Sequence, residues 1–272
     1  MRPVIGLAVP QIENPYYGML ADLFVEEAEH RGWEIAIEQT YGVAAREAAA
    51  VSQSRSLHLD GLILAAVEFD PSWPTKGYPI TMLGEQDLGG RFDHIMMPNE
   101  AGAAAATEHL IARGCRRIAV VTGPELDRLT VATRRYNGYR TALERHGIRP
   151  DPDLRIVLES FSLQGGRCAG QRIADFDRGI DGVVALTDIV AIGIMRGLHD
   201  RGVAVPDDVR VIGFDGIRQS EHCVPALSTV AADHRWMAAR ALDLVISRIE
   251  DRALPPNQFT APFTVIARES TS

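Results

Sequence analysis

The chain has 272 residues, of which 46% are hydrophobic and 24% charged, so its composition is that of a globular protein and excludes a disordered or low-complexity one. Its 28 basic and 36 acidic residues give a net charge of −8, which makes the chain alone a poor candidate for binding nucleic acid. The three cysteines form no CxxC pair, and we find neither a secretion signal nor an apolar run long enough to span a membrane. We therefore expect a cytoplasmic protein with no membrane partner.

Short apolar runs alternate with longer amphipathic ones along the chain. The short runs predict buried strands at residues 4–9, 34–38, 61–66, 80–83, 117–122, 154–158, 182–186 and 209–214. The first helix has a clear start, because Asn14 can cap its free amides and Pro15 suits the first helical position. One more helix at 236–249 and one more strand at 263–267 follow. This order predicts repeated βαβ units and parallel sheets.

The pattern of the first half recurs in the second. One helix ends in Glu-His-Arg-Gly at 29–32 and a later one in Glu-Arg-His-Gly at 144–147, while Asp-Gly-Leu-Ile-Leu at 60–64 is echoed by Asp-Gly-Val-Val-Ala at 181–185. We predict an α/β protein of two Rossmann-like parallel-sheet lobes with a ligand cleft between them. The predicted N-terminal lobe is 1–99 with 232–261, and the C-terminal lobe is 100–231 with 262–272.

The motifs of the common α/β enzymes are missing. No GxGxxG follows a predicted strand, a single lysine in the wrong setting excludes GxxxxGK[ST], and neither GxSxG nor HExxH occurs. The eight histidines have no metal-ligand spacing. We therefore expect a binding protein rather than an enzyme, with no metal and no cofactor.

Ligands of open α/β sheets bind beyond the carboxyl ends of the strands. The residues at those positions are mostly aromatic, acidic or basic. They are Asn14, Tyr16, Tyr17, Glu68, Phe69, Glu85, Arg134, Arg135, Phe161, Thr187, Asp188 and Asp215. Aromatic faces pack on sugar rings, carboxylates accept hydrogen bonds from hydroxyls, and a guanidinium donates to two oxygens at once. The set favours a small polyhydroxylated ligand.

Several of these residues also fit plain structural roles. Asp215 can start a turn with the glycine after it, and Asp188 can cap the helix that it precedes. Arg134 fits a solvated position beside Arg135, because the two point to different faces of one helix. Tyr16 and Tyr17 can also be core or interface aromatics.

Seven stretches that follow one another in a particular order and spacing point to a known family. They are Ile5-Gly6-Leu7, Asn14-Pro15-Tyr16-Tyr17, Glu108-His109-Leu110, Arg135-Tyr136-Asn137-Gly138-Tyr139, Val205-Pro206-Asp207-Asp208-Val209, Gly213-Phe214-Asp215 and Ala267-Arg268-Glu269-Ser270. Through them, from about residue 4 to residue 270, the chain resembles the effector-binding region of the LacI/GalR family of bacterial transcription regulators. The fold that this resemblance implies is that of type I periplasmic binding proteins.

The resemblance also implies which residues contact the effector. They are Arg135, Asp215, Phe161, Tyr16, Tyr17 and His234. We expect the Arg135 side chain to face a solvent-filled cleft, so that its removal weakens binding and spares folding. Thr187 replaces an asparagine that is common in the family, and Glu85 stands near the place of a usual aspartate, so the resemblance leaves the effector unidentified.

The partners implied by the resemblance are a small sugar-like effector, a second copy of the chain in a homodimer, and operator DNA. The family binds DNA through an N-terminal helix-turn-helix headpiece, and we expect that headpiece to be missing from this chain, because Met1 stands almost directly before the first strand. The alternatives are a sugar-binding component of a transport system and, with less support, a two-lobed enzyme acting on a sugar or nucleoside. A helix-turn-helix encoded before Met1 would favour the regulator, and an apolar leader would favour the transporter.

Overall fold

A computed structural model describes residues 2–70, 72–73, 75, 77–86, 89–124, 130–158, 160–176 and 179–272. These residues divide into two compact units. The first unit comprises residues 2–97 with 233–262, and the second comprises residues 98–232 with 263–272. Within the described ranges, no helix combines the length and the apolar character that crossing a membrane requires.

The first unit is built on a six-stranded sheet in which every neighbouring pair is parallel. Numbered in chain order, its strands are β1 (Val4–Val9), β2 (Glu34–Gln39), β3 (Gly61–Ala65), β4 (Ile80–Leu83), β5 (Asp93–Met96) and β11 (Gln258–Thr260). Its helices are α1 (Pro15–His30), α2 (Ala44–Ser56) and α7 (His234–Glu250). The order across the sheet is β11-β5-β4-β3-β1-β2.

The second unit also contains a six-stranded sheet, of order β12-β10-β9-β8-β6-β7. Its strands are β6 (Ile118–Thr122), β7 (Arg155–Val157), β8 (Gly182–Ala185), β9 (Arg210–Phe214), β10 (Ser228–Ala232) and β12 (Phe263–Ile266). Its helices are α3 (Asn99–Ala112), α4 (Val131–Arg145), α5 (Leu163–Asp175) and α6 (Asp188–His199). The edge strand β12 runs antiparallel to β10, and the other neighbours are parallel.

The two sheets share one topology, since β2-β1-β3-β4-β5 in the first unit corresponds to β7-β6-β8-β9-β10 in the second. The predicted α/β class with two parallel-sheet lobes is confirmed. The strands β5, β10 and β11 were not predicted, because polar residues interrupt their apolar runs. In β5, Asp93 is buried against the Arg248 guanidinium at 2.5 Å, and in β10 the Ser228 and Thr229 side chains are buried too.

The predicted helix ends are confirmed as well. Asn14 caps α1, where its side-chain oxygen accepts a hydrogen bond from the Tyr16 amide at 3.1 Å, and Pro15 occupies the first helical position. Gly32 and Gly147, just beyond the last turns of α1 and α4, have φ values of +77° and +68°. That region is open to glycine without steric cost, so both residues terminate their helices.

Helices α5 and α6 pack with their backbones in direct contact. Gly166 and Gly170 on α5 face Gly193 and Gly197 on α6, and a Cβ built on any of them would overlap a backbone oxygen of the other helix. The two helices therefore approach more closely than most helix pairs, since small residues let two backbones meet while side chains of normal size keep them apart.

This contact predicts opposite outcomes for two glycine-to-alanine substitutions. Gly197→Ala should lower the free energy of unfolding by about 1–3 kcal/mol, because its methyl group would overlap the Arg167 carbonyl oxygen. Gly18→Ala in α1 should raise stability by about 1 kcal/mol at most, because the nearest atom lies 3.8 Å from its new Cβ and alanine favours helix. Urea unfolding of both variants tests this, and equal stability changes would contradict the close packing of α5 on α6.

Candidate functional site

Arg135 lies on the buried face of α4. The helix begins after Thr130, whose hydroxyl accepts a hydrogen bond from the Thr133 amide at 3.2 Å, and its inward face carries Arg135 together with Tyr139 and Ala142. Only 3% of the Arg135 surface is exposed. A charged side chain this deeply buried needs compensating partners.

The Arg135 guanidinium has partners from three other elements. Its Nε donates to the Asn99 side-chain oxygen at 2.6 Å, and its Nη1 donates to the Asp215 carboxylate at 3.2 Å and to the Leu186 carbonyl oxygen. The guanidinium also lies over the Phe214 ring, whose centroid is 3.6 Å from the guanidinium carbon, in a cation–π contact. The expectation that Arg135 faces a solvent-filled cleft is therefore wrong, because its hydrogen bonds are made within the second unit.

Asp215 follows β9 directly and adopts a backbone conformation that side chains rarely take. Its φ is +122°, and 7% of its surface is exposed. Burial raises the pKa of its carboxyl from 3.8 to about 7, while Arg135 opposes the rise and the Asp188 charge adds to it. Asp215 therefore forms a hydrogen bond with Arg135 that becomes a full ion pair only when its carboxyl ionises, at about pH 7 and above. The turn that it begins also contains Gly216, as one of the alternative interpretations proposed.

Thr187 and Asp188 occupy the start of α6. The Thr187 hydroxyl caps the helix by accepting a hydrogen bond from the Val190 amide at 3.4 Å. The interpretation that Asp188 is the cap is therefore wrong. Its fully buried carboxylate instead accepts hydrogen bonds from three residues beyond β9.

The remaining predicted residues of the second unit lie elsewhere on it. Phe161 is 44% exposed, and its ring lies beside Gly123 at the end of β6, so close that a Cβ there would be 3.2 Å away. Asn99, the first residue of α3, was not among the predicted contact residues. Asn99 follows β5, and because the polar composition of β5 kept that strand from being predicted, Asn99 was not recognised as a residue beyond a strand end. Its side-chain nitrogen is buried and has no hydrogen-bond partner in the described part of the chain.

The first unit brings its predicted residues together around the start of α1. The Tyr16 ring meets the rings of Tyr17 and His234 edge-on, at centroid distances of 5.0 and 5.6 Å. The Tyr16 hydroxyl lies 3.5 Å from the Met97 sulfur, and the Met97 amide donates to the Glu85 carboxylate at 2.9 Å. The cap residue of α1, Asn14, stands at the same end, so five of the seven residues predicted in this unit lie around the start of α1.

His234, the first residue of α7, is a neutral polar group inside this cluster. Burial lowers the pKa of its imidazole from 6.5 to about 4. Its Nε2 atom is buried without a hydrogen-bond partner among the residues that the structure describes. Phe69, by contrast, belongs to the core, where its ring packs against Trp73 and Phe92, and the exposed Glu68 donates its amide to the buried Glu47 carboxylate.

Comparison with known proteins identifies the family. Residues 107–271 match the periplasmic binding protein-like domain. The ribose operon repressor of Escherichia coli is 30% identical over 92% of this chain and 76% of its own length. A solved regulator of the LacI family from Sanguibacter keddieii is 38% identical, with a TM-score of 0.91 over 98% of each chain. The chain belongs to the LacI family of transcriptional regulators. The similar structures also include a LacI-family regulator from Enterococcus faecium with bound ribose, 26% identical, with a TM-score of 0.84 over 99% of this chain and 98% of that one.

Membership of the LacI family confirms the resemblance and the type I periplasmic binding protein fold expected from it. The similar proteins are transcriptional regulators, which favours the regulator over the transport component and over the enzyme. Which residues of this LacI-family chain contact an effector stays a prediction. The predicted residues are Arg135, Asp215, Phe161, Tyr16, Tyr17, Asn14, Thr187, Asp188, Glu85 and His234.

The buried position of Arg135 in this regulator predicts a stability effect that the sequence did not. Arg135→Ala should lower the free energy of unfolding by about 2–4 kcal/mol, because it removes the guanidinium partner of both the Asp215 carboxyl and the Asn99 side-chain oxygen. Arg140→Ala on the same helix is the matched control and should change stability by less than about 0.5 kcal/mol, since its ion pair with Glu144 is exposed. Equal stability of wild type and Arg135→Ala in urea unfolding would contradict the structural role.

The shifted pKa values of Asp215 and His234 predict opposite pH dependences. Between pH 3.8 and about 7 the native Asp215 carboxyl holds a proton that the unfolded chain releases, so its contribution to stability falls as pH rises. Between about pH 4 and 6.5 the unfolded His234 binds a proton that the native ring does not, so its contribution rises with pH. Relative to wild type, Asp215→Asn should therefore gain stability from pH 4 to 7, and His234→Gln should lose it.

Unfolding of both variants and wild type at a series of pH values tests this pair. Each variant is compared with wild type at the same pH, so that a constant difference in stability cancels. Parallel curves for wild type and Asp215→Asn would show that the Asp215 carboxyl titrates alike in the folded and unfolded chains.

Proposed function

We propose that this chain is the ligand-sensing region of its regulator and binds an uncharged, sugar-like effector. The observation that carries the proposal concerns two of the buried polar atoms that have no hydrogen-bond partner within the described residues, the Asn99 side-chain nitrogen and the His234 Nε2 atom. Buried polar atoms of native proteins are nearly always hydrogen-bonded, so exceptions call for a missing partner. Hydroxyl groups suit both, because a hydroxyl accepts from the Asn99 amide and either donates to or accepts from a neutral imidazole.

The electrostatics of the two clusters favour a neutral molecule over a phosphorylated one. The Arg135 charge is already opposed by the buried Asp215 carboxylate, and Asp188 lies buried nearby. In the first unit Glu85 is buried, and His234 of the same cluster is uncharged near neutral pH. A phosphate dianion would meet acidic side chains in both clusters, and the Arg135 guanidinium is already hydrogen-bonded to one of them, Asp215.

The ring clusters supply the apolar half of sugar recognition. Tyr16 and Tyr17 at the start of α1, and the exposed Phe161 ring, offer faces on which the C–H side of a sugar can pack. The similar regulators named for the ribose operon or solved with ribose support this ligand class. That one effector contacts both units is predicted from the sequence and stays a prediction.

We further propose that the regulator acts as a homodimer that reads operator DNA. A two-fold dimer suits a palindromic operator, since each half-site is read by one copy of a DNA-binding segment. The acidic charge of the present chain, −8, supports assigning DNA contact to a separate segment. Effector and DNA would then affect each other reciprocally, by about 1–3 kcal/mol of coupling free energy.

A thermal-shift comparison of matched sugars tests the effector class. D-Ribose and other neutral pentoses and hexoses are compared with their phosphates, including D-ribose 5-phosphate, at equal concentration. A neutral sugar that binds the folded chain should raise its stability, by about 2.7 kcal/mol at 100 times the Kd, while its phosphate leaves the melting temperature unchanged. Stabilisation by the phosphates alone would overturn the proposal, and so would silence of the whole panel.

A further inference from the structure

Asp188 is completely buried and lies beside the Arg135–Asp215 pair of the second unit. Its Oδ2 atom accepts hydrogen bonds from the Ile217 amide at 2.9 Å and from the Ser220 hydroxyl at 2.8 Å. Its Oδ1 atom accepts one from the Thr229 hydroxyl at 2.6 Å. Because Thr187 caps α6, the Asp188 carboxylate is available for these contacts with the segment that follows β9.

The segment that Asp188 holds is the turn containing Asp215. The Asp215 amide donates to the Val230 carbonyl oxygen at 2.9 Å, and the Gly216 amide donates to the Thr229 hydroxyl at 3.2 Å. That hydroxyl and the Ile217 amide both donate to Asp188, so two of the three successive amides are fixed directly or indirectly by one carboxylate.

This turn needs such support, because Asp215 is strained. A residue with a Cβ at φ +122° lies in a sparsely populated region that costs about 1–3 kcal/mol. Strain of this size persists only where surrounding contacts determine the conformation. The conformation is what brings the Asp215 carboxylate to 3.2 Å from Arg135.

The sequence of β9 also accommodates Asp188. A Cβ built on Gly213 would overlap the Asp188 Oδ1 atom and lie 3.2 Å from its Cα. Burial raises the pKa of the Asp188 carboxyl, and the hydrogen bonds from Thr229, Ser220 and Ile217 oppose that rise. The Asp188 carboxylate, which α6 carries, therefore contacts both β9 and the turn that follows it.

We infer that Asp188 is a positioning residue for effector binding: it holds the turn of residues 215–217 so that the Asp215 carboxylate stays beside Arg135. The inference rests on the proposed function, since it concerns the same site. Asp188 acts through Asp215 and need not touch the effector.

Affinity for D-ribose in a double-mutant cycle tests this positioning role. Asp188→Ala should weaken D-ribose binding about 10-fold or more in the wild-type background, and by less than about twofold when Asp215→Asn is already present. Asp188→Asn should restore binding to within about threefold, because its amide oxygen can accept from Ile217 while its nitrogen donates to the Thr229 hydroxyl. Ser220→Ala, which removes a partner of Asp188 outside the turn, is the matched control and should bind as wild type does. An undiminished loss in the Asp215→Asn background would overturn the inference.

Hydrogen exchange of the ligand-free chain gives a second readout, independent of any sugar. In Asp188→Ala the amides of Gly216 and Ile217 should exchange about 10-fold faster, while the Val184 amide in β8 keeps its rate. Equal acceleration of all three amides would show a general loss of stability and would overturn the inference. If Asp188→Ala fails to fold, the nearly isosteric Thr229→Val should accelerate the Gly216 amide in the same way. If D-ribose does not bind wild type, the neutral sugar that stabilises wild type in the thermal-shift panel replaces it in the cycle. Failure of the whole panel would count against the proposed function, and the exchange rates would still decide the role of Asp188.

Discussion

The buried guanidinium of Arg135 is the constraint on which the second unit depends. An ionised group in a protein interior costs several kcal/mol unless its hydrogen bonds are satisfied. Here the acceptors come from the first turn of α3, from the residue after β8 and from the residue after β9. Elements far apart in the sequence must therefore meet at one face of α4. The carboxyl-end edge of this sheet is organised around a single side chain.

The two units use one topology for different chemistry. In each unit the first strand, β1 or β6, is followed by a helix whose early residues are proposed to bind the effector. These residues are Tyr16 and Tyr17 in α1 and Arg135 in α4. The second unit places a charge pair there. The first places aromatic rings and an imidazole that burial keeps neutral. The charged and polar groups suit hydroxyl groups and the aromatic rings suit apolar C–H faces, which are the two features of a sugar.

Much of the fold could be predicted from the sequence, because its signals are local. Apolar runs predicted the central strands, Asn14 and Pro15 predicted the start of α1, and the repeated helix endings predicted two sheets of one topology. The strands β5 and β10 could not be predicted in this way, because their polar residues are buried by partners that are distant in the sequence. Asp93, for example, needs Arg248, which lies 155 residues further along the chain.

The candidate site was predictable to a smaller extent. The rule that ligands lie beyond strand ends selected Arg135 and Asp215, and the structure joins them in an ion pair. Their burial could not be predicted, since it depends on Asn99 and Phe214, whose roles appear only when α3, α4 and β9 are assembled. Asp188 looked like a helix cap for the same reason, because its three hydrogen-bond donors follow it by 29 to 41 residues.

Three of the residues proposed to bind the effector depart from the rules of stable folding. Asp215 holds a strained φ, and the Asn99 nitrogen and the His234 Nε2 atom are buried without partners in the described chain. Each departure costs about 1–3 kcal/mol. A glycine at position 215 would adopt the same φ without strain, but it would remove the carboxylate that faces Arg135. The chain thus gives up stability where it keeps groups able to form hydrogen bonds, which is the pattern expected of a binding site and not of a core.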